Sequence, residues 1–443
     1  MANTYLTRTP SSTGNQRTFT FSFWVKRSKL GLGGTGQHIY CQSYGSEDYQ
    51  FRIEFTSNDE FRLYNSKGAS DAINLKTNRR FRDTSNWYAI TIAIDTTQST
   101  AANRAKIYVN GVQETSFATA TYPTQNLEMD ANAGVAQLIG VQYKGSYALY
   151  FDGSMSHFHF ADGTAYPAST FGSTDATTGE WKINTSPSIT MGNNGFTILK
   201  DGNTITDQSS NSNDFTLGGG TLTNTEDCPS NVFATLNPLH KGNTLTGITY
   251  SNGNNTFTAG STAYPYTFST LANSSGKYYA EFKVTSGANN TFIGISAGVK
   301  AVYLGHNLYD YSYVGSNGQI YTNQASTNYG SALSTNDILG VAMDLDNNKL
   351  YFSINGTWQN SANPSSGTGG HTIVAPSSTT TGVYHFAVGD SDQLTPQIQC
   401  NFGNGFFGTT AISSEGTNAS GIGKFEYDVP AGYTALSTKG LNE

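Results

Sequence analysis

Charged residues and cysteines are scarce in this sequence. Lys, Arg, Asp and Glu make up 12% of its 443 residues, about half the share that is usual in soluble domains. The three cysteines, Cys41, Cys228 and Cys400, stand far apart, without the even number of a disulfide framework or the close spacing of a zinc site. We therefore expect a polar but largely uncharged surface and a fold held by packing, as in a protein that matures in a reducing cytoplasm.

Long apolar runs and long basic runs are also missing. The N-terminal residues MANTYLTRTPSSTG contain no apolar h-region, and no stretch of about 18 apolar residues occurs anywhere in the chain. This pattern predicts neither a Sec-type signal peptide nor a membrane span. The net charge is −7. The densest basic cluster, Arg79, Arg80 and Arg82, is interpreted as a solvated strand end, so no nucleic-acid partner is expected.

Glycine and aromatic residues are abundant instead, and apolar and polar residues alternate in many segments. The chain contains 48 Gly, 27 Tyr and 25 Phe, a mixture of turn formers and strand formers. Residues 18–25 (TFTFSFWV) place three phenylalanines and Val25 on one face of a strand. Residues 106–112 (KIYVNGV) run into an Asn-Gly pair, a strong hairpin signal. We predict an all-β fold of two antiparallel β-sandwiches (jelly rolls) in tandem.

The domain boundaries follow from a change in composition near the middle of the chain. Residues 187–238 are polar and rich in Gly, Asn and Thr, with short apolar stretches, and strong alternation resumes at residue 277. The sequence therefore predicts a first sandwich over residues 1–186, a connecting segment with short strands over residues 187–238, and a second sandwich over residues 239–443.

The second half carries landmarks in an order that is typical of one family. An aromatic-rich strand at residues 277–284 (KYYAEFKV) is followed by FIGIS at 292–296 and by a hairpin at 337–356 (DILGVAMDLDNNKLYFSING). CNFGNGFF follows at 400–407. This order resembles a SPRY domain, in which an Asn-Phe-Gly stretch near the end tucks under the sheet. The resemblance implies a β-sandwich in this half.

The first half has a different set of landmarks. FTFSFWVKRS (19–28), NWYAITIAID (86–95), the Val-Asn-Gly hairpin and YFDGSMSHFHFADG (150–163) occur in this order. They are similar to the laminin-G/concanavalin-A-like jelly roll, and the resemblance implies a lectin-like sandwich.

Two places in the first half are candidates for metal binding, and no cofactor is expected. The laminin-G resemblance leaves calcium open as a ligand, held by Asp152 or Asp162 with loop carbonyls, although Asp-Gly turns are common without a metal ion. His157 and His159 stand two apart on one predicted strand face, but the sequence offers no evident third ligand.

The two domains in this order, joined by residues 226–239 (EDCPSNVFATLNPL), are similar to structural proteins of marine tailed bacteriophages. The resemblance implies synthesis in the host cytoplasm and a place on the virion surface, in a tail fibre or capsid appendage. It also implies other virion proteins and a host-surface glycan or protein as partners. A homo-oligomer is expected, with a trimer favoured, although no coiled-coil heptads or collagen-like repeats impose one.

Motifs that suggest catalysis lack the context that their chemistry needs, so no catalytic residue is predicted. GLGGTG at 31–36 and GISAG at 294–298 are followed by sequence without helical character, whereas a dinucleotide loop and a nucleophile elbow each open a helix. The Glu-x-Asp-x-x-Glu spacing of glycosidase sandwiches is absent from the sequence. The nearest carboxylate pair, Asp344 and Asp346, is interpreted as a solvated strand end.

Tyrosines are the most informative surface candidates. Tyr303, Tyr309, Tyr311 and Tyr313 cluster in VYLGHNLYDYSYVG, and the last three alternate onto one face. A flat ring with a hydroxyl suits stacking on a sugar or docking of a partner, and the alternative is that these rings line the core. Trp358, in a Gly/Ser/Asn-rich loop, is the other candidate ligand-binding residue.

These observations predict a virion structural protein that displays lectin-like sandwiches for attachment to host-surface glycans or proteins. Two alternatives stay open: a purely structural capsid-decoration or tail component without a ligand, and a polysaccharide-degrading enzyme.

Overall fold

The computed structural model describes residues 3–31, 33–68, 70–200, 202, 204–241, 247–260, 264–390 and 395–442. The chain forms two compact units, Met1–Asn224 and Thr225–Glu443, hereafter unit 1 and unit 2. Both are built almost entirely of β-strands in mostly antiparallel sheets, which confirms the predicted all-β fold. Leu32, inside the GLGGTG motif, lies outside the described residues. Across the described ranges, no helix is long and apolar enough to cross a membrane.

The described residues of unit 1 form strands β1 to β18 and 3-10 turns at Ala101–Asn103 and Ala168–Thr170. The strands are β1 (Tyr5–Arg8), β2 (Thr18–Arg27), β3 (Gln37–Ser43), β4 (Tyr49–Phe55), β5 (Glu60–Lys67), β6 (Ser70–Arg80), β7 (Tyr88–Asp95), β8 (Ala105–Val109), β9 (Val112–Gln113), β10 (Phe117–Thr121), β11 (Gln137–Ile139), β12 (Gln142–Tyr143), β13 (Tyr147–Ala148), β14 (Gly153–Asp162), β15 (Gly172–Thr174), β16 (Trp181–Ile183), β17 (Phe196–Ile198) and β18 (Thr216–Gly219). Sheet I has the order β10-β6-β5-β4-β3-β11-β1-β18, and sheet II has the order β17-β14-β2-β7-β8-β9. Two small pairs, β12–β13 and β15–β16, lie outside these sheets.

The core of unit 1 lies between sheets I and II. Phe19, Phe21 and Phe23 on β2 are fully buried. The Phe21 ring packs against Phe51 of sheet I and Phe160 of sheet II. The alternation predicted for residues 18–25 is therefore confirmed, and burial of each ring stabilises the sandwich by about 1.5–3 kcal/mol.

Unit 2 consists of strands β19 to β36 and short 3-10 turns at Ala288–Asn290, Pro376–Ser378 and Gly440–Asn442. The strands are β19 (Leu236–Lys241), β20 (Ile248–Ser251), β21 (Thr256–Ala259), β22 (Tyr266–Ser269), β23 (Lys277–Ser286), β24 (Thr291–Ser296), β25 (Asp310–Val314), β26 (Gln319–Thr322), β27 (Ala325–Asn328), β28 (Ile338–Asp344), β29 (Lys349–Ile354), β30 (Thr357–Trp358), β31 (His371–Thr372), β32 (His385–Asp390), β33 (Gln397–Asn401), β34 (Phe406–Phe407), β35 (Thr410–Ala411) and β36 (Thr434–Ala435). Sheet III has the order β19-β22-β32-β24-β25-β26-β27. Sheet IV has the order β20-β21-β33-β23-β28-β29-β30, with β31 on β29 and β36 on β23.

The core of unit 2 lies between sheets III and IV. Strand β23 contributes Tyr278, Phe282 and Val284 to it, and β24 contributes Ile293 and Ile295. Because successive side chains of a strand point to opposite faces, the neighbours of these residues face outward. The outer face of each sheet is therefore free to carry a different set of side chains.

Two Asn-Gly hairpin turns, of which the first is predicted from the sequence, have the backbone that this pair favours. Asn110 and Gly111 have φ angles of 48° and 77° and join β8 to β9. Asn355 and Gly356 have φ angles of 47° and 79° and join β29 to β30. Positive φ at both central residues defines the turn that matches the twist of paired strands, and Asn-Gly tolerates it best.

The predicted connecting segment, residues 187–238, is divided between the two units. Phe196 and Ile198 of β17 are fully buried in the core of unit 1, and β18 pairs with β1. In unit 2, the Thr438 N–H donates to the Val232 carbonyl at 2.9 Å. The residues before 225 therefore complete the first sandwich, and those after it pair with the C-terminal end of the chain.

A buried ion pair joins the strands at one end of unit 1. Arg27 and Asp59 both have fully buried side chains, and the Arg27 guanidinium lies 3.1 Å from an Asp59 oxygen. The Asp59 carboxylate also accepts from the Gly31 N–H at 2.6 Å and pairs with the Arg82 guanidinium at 2.9 Å. Burial lowers the pKa of Arg27, and the Asp59 charge opposes that change. The carboxylate thus compensates a cation that has no access to water.

A buried carboxylate fastens the C-terminal segment of unit 2 to sheet IV. Glu281 on β23 is fully buried. Its oxygens accept from the backbone N–H groups of Tyr427 (2.8 Å) and Glu426 (2.9 Å), and from the Asn401 amide and the Tyr279 hydroxyl (both 3.2 Å). Burial raises the pKa of Glu281 to about 7, against the lowering effect of these hydrogen bonds.

Candidate functional site

Aromatic side chains from several segments meet on the outer face of sheet III. They are Tyr264, Phe292, Tyr303, His306 and Tyr321, hereafter the Tyr303 cluster. The rings of Phe292 and Tyr321 stack with their centroids 6.0 Å apart and an interplanar angle of 9°. The Tyr303 ring lies 5.1 Å from His306, 5.5 Å from Tyr264 and 5.9 Å from Tyr321. The rings form a continuous aromatic patch.

Strands of sheet III and a segment fixed to that sheet support the rings of this patch. Phe292 and Tyr321 point away from the core, next to Ile293 and Ile320, which face it. Phe292 is 8% exposed and belongs to a buried cluster on which the partly buried rings of Tyr303 and Tyr321 pack. Tyr303 lies in the segment between β24 and β25, and that segment is tied to the sheet because the Ala301 N–H donates to the Tyr266 hydroxyl at 2.5 Å. A rigid support of this kind lowers the entropy that a ligand-binding side chain loses on binding.

Two phenol hydroxyls of the patch lie next to each other. The hydroxyls of Tyr303 and Tyr321 are 3.3 Å apart. This hydrogen bond, together with burial, raises the pKa of Tyr303 to about 12, so the phenol stays protonated at physiological pH. Two apolar side chains close by in the sequence, Val302 and Leu308, are 44% and 47% exposed. The patch therefore offers flat apolar area and uncharged hydroxyls.

The other predicted tyrosines lie elsewhere. Tyr311 and Tyr313 are 3% and 0% exposed, and the Tyr313 hydroxyl donates to the Ser331 carbonyl at 2.5 Å. Tyr309 packs half-buried against the same core. The three residues do share one face of the chain, but that face lines the core. Of the four predicted tyrosines, Tyr303 is the one in the surface patch.

Trp358 is placed by packing. Its half-buried ring lies 6.3 Å from that of Tyr279, and it contacts the buried cluster that includes Phe425 of the C-terminal segment. Trp358 therefore belongs to the covered outer face of sheet IV, which explains an aromatic residue in a loop of small polar residues.

The two calcium candidates lie at opposite ends of β14, about 30 Å apart for an extended strand of this length. No single ion can contact both. The Asp162 carboxylate accepts from the Asn15 N–H (2.8 Å), the Asn132 amide (2.7 Å) and the Asn194 N–H (3.1 Å). Burial raises the pKa of Asp152. In the part of the chain that the structure describes, no group of three His, Cys, Asp or Glu side chains could hold a metal ion.

The histidine pair and the serine of GISAG are also accounted for by local packing. His157 has a φ of 48° and sits in a bulge between β14 and β2. His159 is buried, which lowers its pKa to about 3, and bonds to the Thr197 hydroxyl at 2.9 Å. Ser296 is fully buried and donates to Asp310 at 2.6 Å. Its hydroxyl is therefore closed to a substrate.

The interpretation of Asp344 as a solvated strand end is wrong. Asp344 is fully buried, because the hairpin turn folds over it. Its oxygens accept from the Asn347 N–H at 3.0 Å and the Asn347 amide at 2.9 Å, and pair with Lys277 at 3.0 Å. Asp346 accepts from the Gly276 N–H at 2.8 Å. Asp344 therefore closes the turn between β28 and β29, and Asp346 ties this turn to the residue before β23.

Most of the Tyr303 cluster was missed by sequence reasoning because its members come from separate segments. One feature of the sequence does bear on two of the rings. Phe292 and Tyr321 each stand beside an isoleucine in an alternating strand, so one residue of each pair had to face outward. The sequence does not tell which residue of a pair that is, nor that the two outward rings meet.

Comparisons with known proteins identify a domain in each half. Residues 2–169 match the Laminin_G_3 family, described as the concanavalin A-like lectin/glucanases superfamily. Residues 277–368 match the SPRY domain. The chain therefore carries a lectin-like β-sandwich and a SPRY domain in tandem, and both resemblances seen in the sequence are confirmed. No curated protein matches this chain.

Solved structures are similar to parts of the chain. The SPRY domain of human HERC1 is 14% identical, with a TM-score of 0.29, over 37% of this chain and 96% of that one. A native heptameric SAP-like pentraxin from Limulus polyphemus is 14% identical, with a TM-score of 0.29, over 45% of this chain and 89% of that one.

Proposed function

We propose that this protein is a virion-surface attachment protein that binds neutral glycans of a host surface through the Tyr303 cluster. The observation that carries the binding part is the aromatic patch itself, in which Tyr303 and Tyr321 present adjacent rings and paired hydroxyls. No catalytic step is included, because binding alone accounts for the arrangement.

The chemistry of the patch suits a sugar ring. The C–H face of a pyranose packs on an aromatic ring, and its hydroxyls need neutral donors and acceptors at the edge. The two phenol groups supply both. Because the two phenol hydroxyls are uncharged, hydrogen bonds made through them should depend little on salt. One shallow site binds weakly, so attachment would gain strength from many copies on one particle.

The virion setting is supported by the order of the two domains and by residues 226–239, which are similar to those of phage structural proteins. We propose other virion proteins as partners, a trimer as the assembled form, and synthesis in the host cytoplasm. Mass spectrometry of purified particles, with antibody labelling in electron micrographs, tests this setting. Absence of the chain from purified particles would overturn it.

A structural role without a ligand is the second candidate. The exposed side chains of Val302 and Leu308 next to the patch suit a contact between subunits. A density map of the particle decides between the two roles, because glycan attachment fails for this site if Tyr303 is covered by a neighbouring subunit.

Replacing Tyr303 by Ala should lower the affinity for a bound neutral polysaccharide about tenfold, since the stacking area is lost. Tyr303→Phe keeps the ring and should lose less. Equilibrium binding of the full chain is measured in about 0.1 M and 0.5 M salt, and we expect little change between them. Tyr108→Ala, on β8 of sheet II, is the matched control. Equal affinities for the Tyr303→Ala variant and the wild type would rule out this site.

A further inference from the structure

A second group of tyrosines lies at the surface of unit 1. Tyr147 on β13 is 47% exposed. Its ring centroid lies 4.8 Å from that of Tyr5 and 5.0 Å from that of Tyr143. The Tyr150 ring lies 6.2 Å from Tyr5. These four residues, hereafter the Tyr147 platform, present one open ring backed by partly buried ones.

The platform rests on groups that leave it little freedom. A Cβ at Gly218 would lie 2.1 Å from the Tyr5 ring, and one at Gly219 would lie 3.0 Å from it, so glycine at both positions lets the ring lie directly on the β18 backbone. Tyr143 and Tyr150 pack against the buried side chains of Cys41, Leu138 and Val141. The exposed ring of Tyr147 therefore stands on a fixed base, as a stacking site requires.

An ion pair joins the hairpin that carries Tyr147 to the turn between β3 and β4. The Lys144 ammonium is 2.6 Å from a Glu47 oxygen, and their side chains are 40% and 63% exposed. The hydrogen bond from Lys144 lowers the pKa of Glu47, which favours the carboxylate form of this side chain beside the Lys144 ammonium. Such a pair can donate to one hydroxyl and accept from the next, and it gives no preference for a charged ligand.

We propose that the Tyr147 platform is a second glycan-binding site, which takes a neutral hexopyranose ring stacked on Tyr147 with its hydroxyls bonded to Lys144 and Glu47. The ligand class rests on the proposed function, but the residues are independent of the Tyr303 cluster. A chain with one site in each unit would bind a polysaccharide at two points, and its affinity would exceed that of either site.

The test uses the full chain and immobilised neutral polysaccharides: a β-glucan, a galactan and a mannan, with a sulfated galactan beside them. Tyr147→Ala should lower the affinity for at least one neutral polymer about tenfold, and Tyr147→Phe should stay within about threefold of the wild type. Lys144→Met should also weaken binding. Tyr108→Ala serves again as the control, and an unchanged thermal transition shows that each variant is folded.

The outcomes distinguish the two sites from each other and test the ligand class. If Tyr147→Ala binds like the wild type while Tyr303→Ala binds weakly, the platform is overturned and the Tyr303 proposal stands. The reverse result overturns the Tyr303 proposal alone. Tighter binding of the sulfated galactan than of the neutral one overturns the neutral ligand. A wild-type chain that binds none of the neutral polymers overturns both sites.

Discussion

Replacing Glu281 by Gln should remove the loss of unit 2 stability that deprotonation of Glu281 causes as the pH rises toward about 7. The wild-type carboxyl has its pKa raised from 4.5 to about 7 in the folded chain. Its protonated form therefore favours folding fully below about pH 4.5, and this contribution is lost as the pH rises through 7. The shift corresponds to about 3 kcal/mol. The neutral amide cannot lose a proton, so the variant should show no such loss.

The same variant should also be less stable than the wild type at about pH 5. A protonated Glu281 can donate to the Tyr279 hydroxyl and still accept from Glu426 and Tyr427, whereas the Gln amide turns a donor toward one of those backbone N–H groups. An unsatisfied buried N–H costs about 1–3 kcal/mol. The stabilities of the two proteins should therefore converge, or cross, as the pH rises toward about 8.

Hydrogen exchange of β23 peptides, followed from about pH 5 to 8 with correction for the intrinsic rate, measures this effect within unit 2. Glu415→Gln is the matched control, because Glu415 is exposed. An equal pH dependence in the wild type and the Glu281→Gln variant would show that the buried carboxyl does not titrate in this range.

Replacing Asp59 by Asn should destabilise unit 1 by about 3–5 kcal/mol, because it leaves the buried Arg27 cation uncompensated. Asn has nearly the same shape and tolerates the φ of 68° at this position. It can still accept from the Gly31 N–H. The lost free energy therefore reports the charge and not the backbone.

The double variant Arg27→Met/Asp59→Asn separates the free-energy cost of the unpaired Arg27 charge from the cost of the Asp59 substitution itself. With the cation removed, a large part of the stability should return, since a buried ion pair is often no better than an apolar replacement. Calorimetry of the full chain and hydrogen exchange of β2 measure the change. Glu128→Gln is the control, because its pair with Arg17 is about half exposed and should count for about 0.5 kcal/mol or less. A double variant as unstable as Asp59→Asn would contradict this explanation.

Local patterns in the sequence predict the strands and turns well, for a physical reason. The alternation of phenylalanines on β2 and the Asn-Gly turn after β8 depend on neighbouring residues alone, so both are visible without the fold. Local patterns do not tell which face of a strand is buried. Tyr311 and Tyr313 alternate as an exposed pair would, but sheet IV covers the face on which they lie. Tertiary packing alone determines that this face is buried.

The candidate sites depend on contacts between distant segments. The Tyr5 ring that contacts Tyr147 lies on the β18 backbone because β1 and β18 pair across more than two hundred residues, and Tyr303 meets Tyr321 only once sheet III has formed. The short strand over Phe196–Ile198 is another example. It reads as part of a polar connection, yet it completes sheet II by pairing with β14.

The most direct test of glycan attachment is the affinity of the Tyr147→Ala/Tyr303→Ala double variant for the neutral polysaccharide that the wild type binds best. Because the two tyrosines belong to different units, their free-energy losses should add, which predicts about a hundredfold weaker binding at unchanged thermal stability. A folded double variant that binds with wild-type affinity would contradict the proposal that these tyrosines hold the glycan.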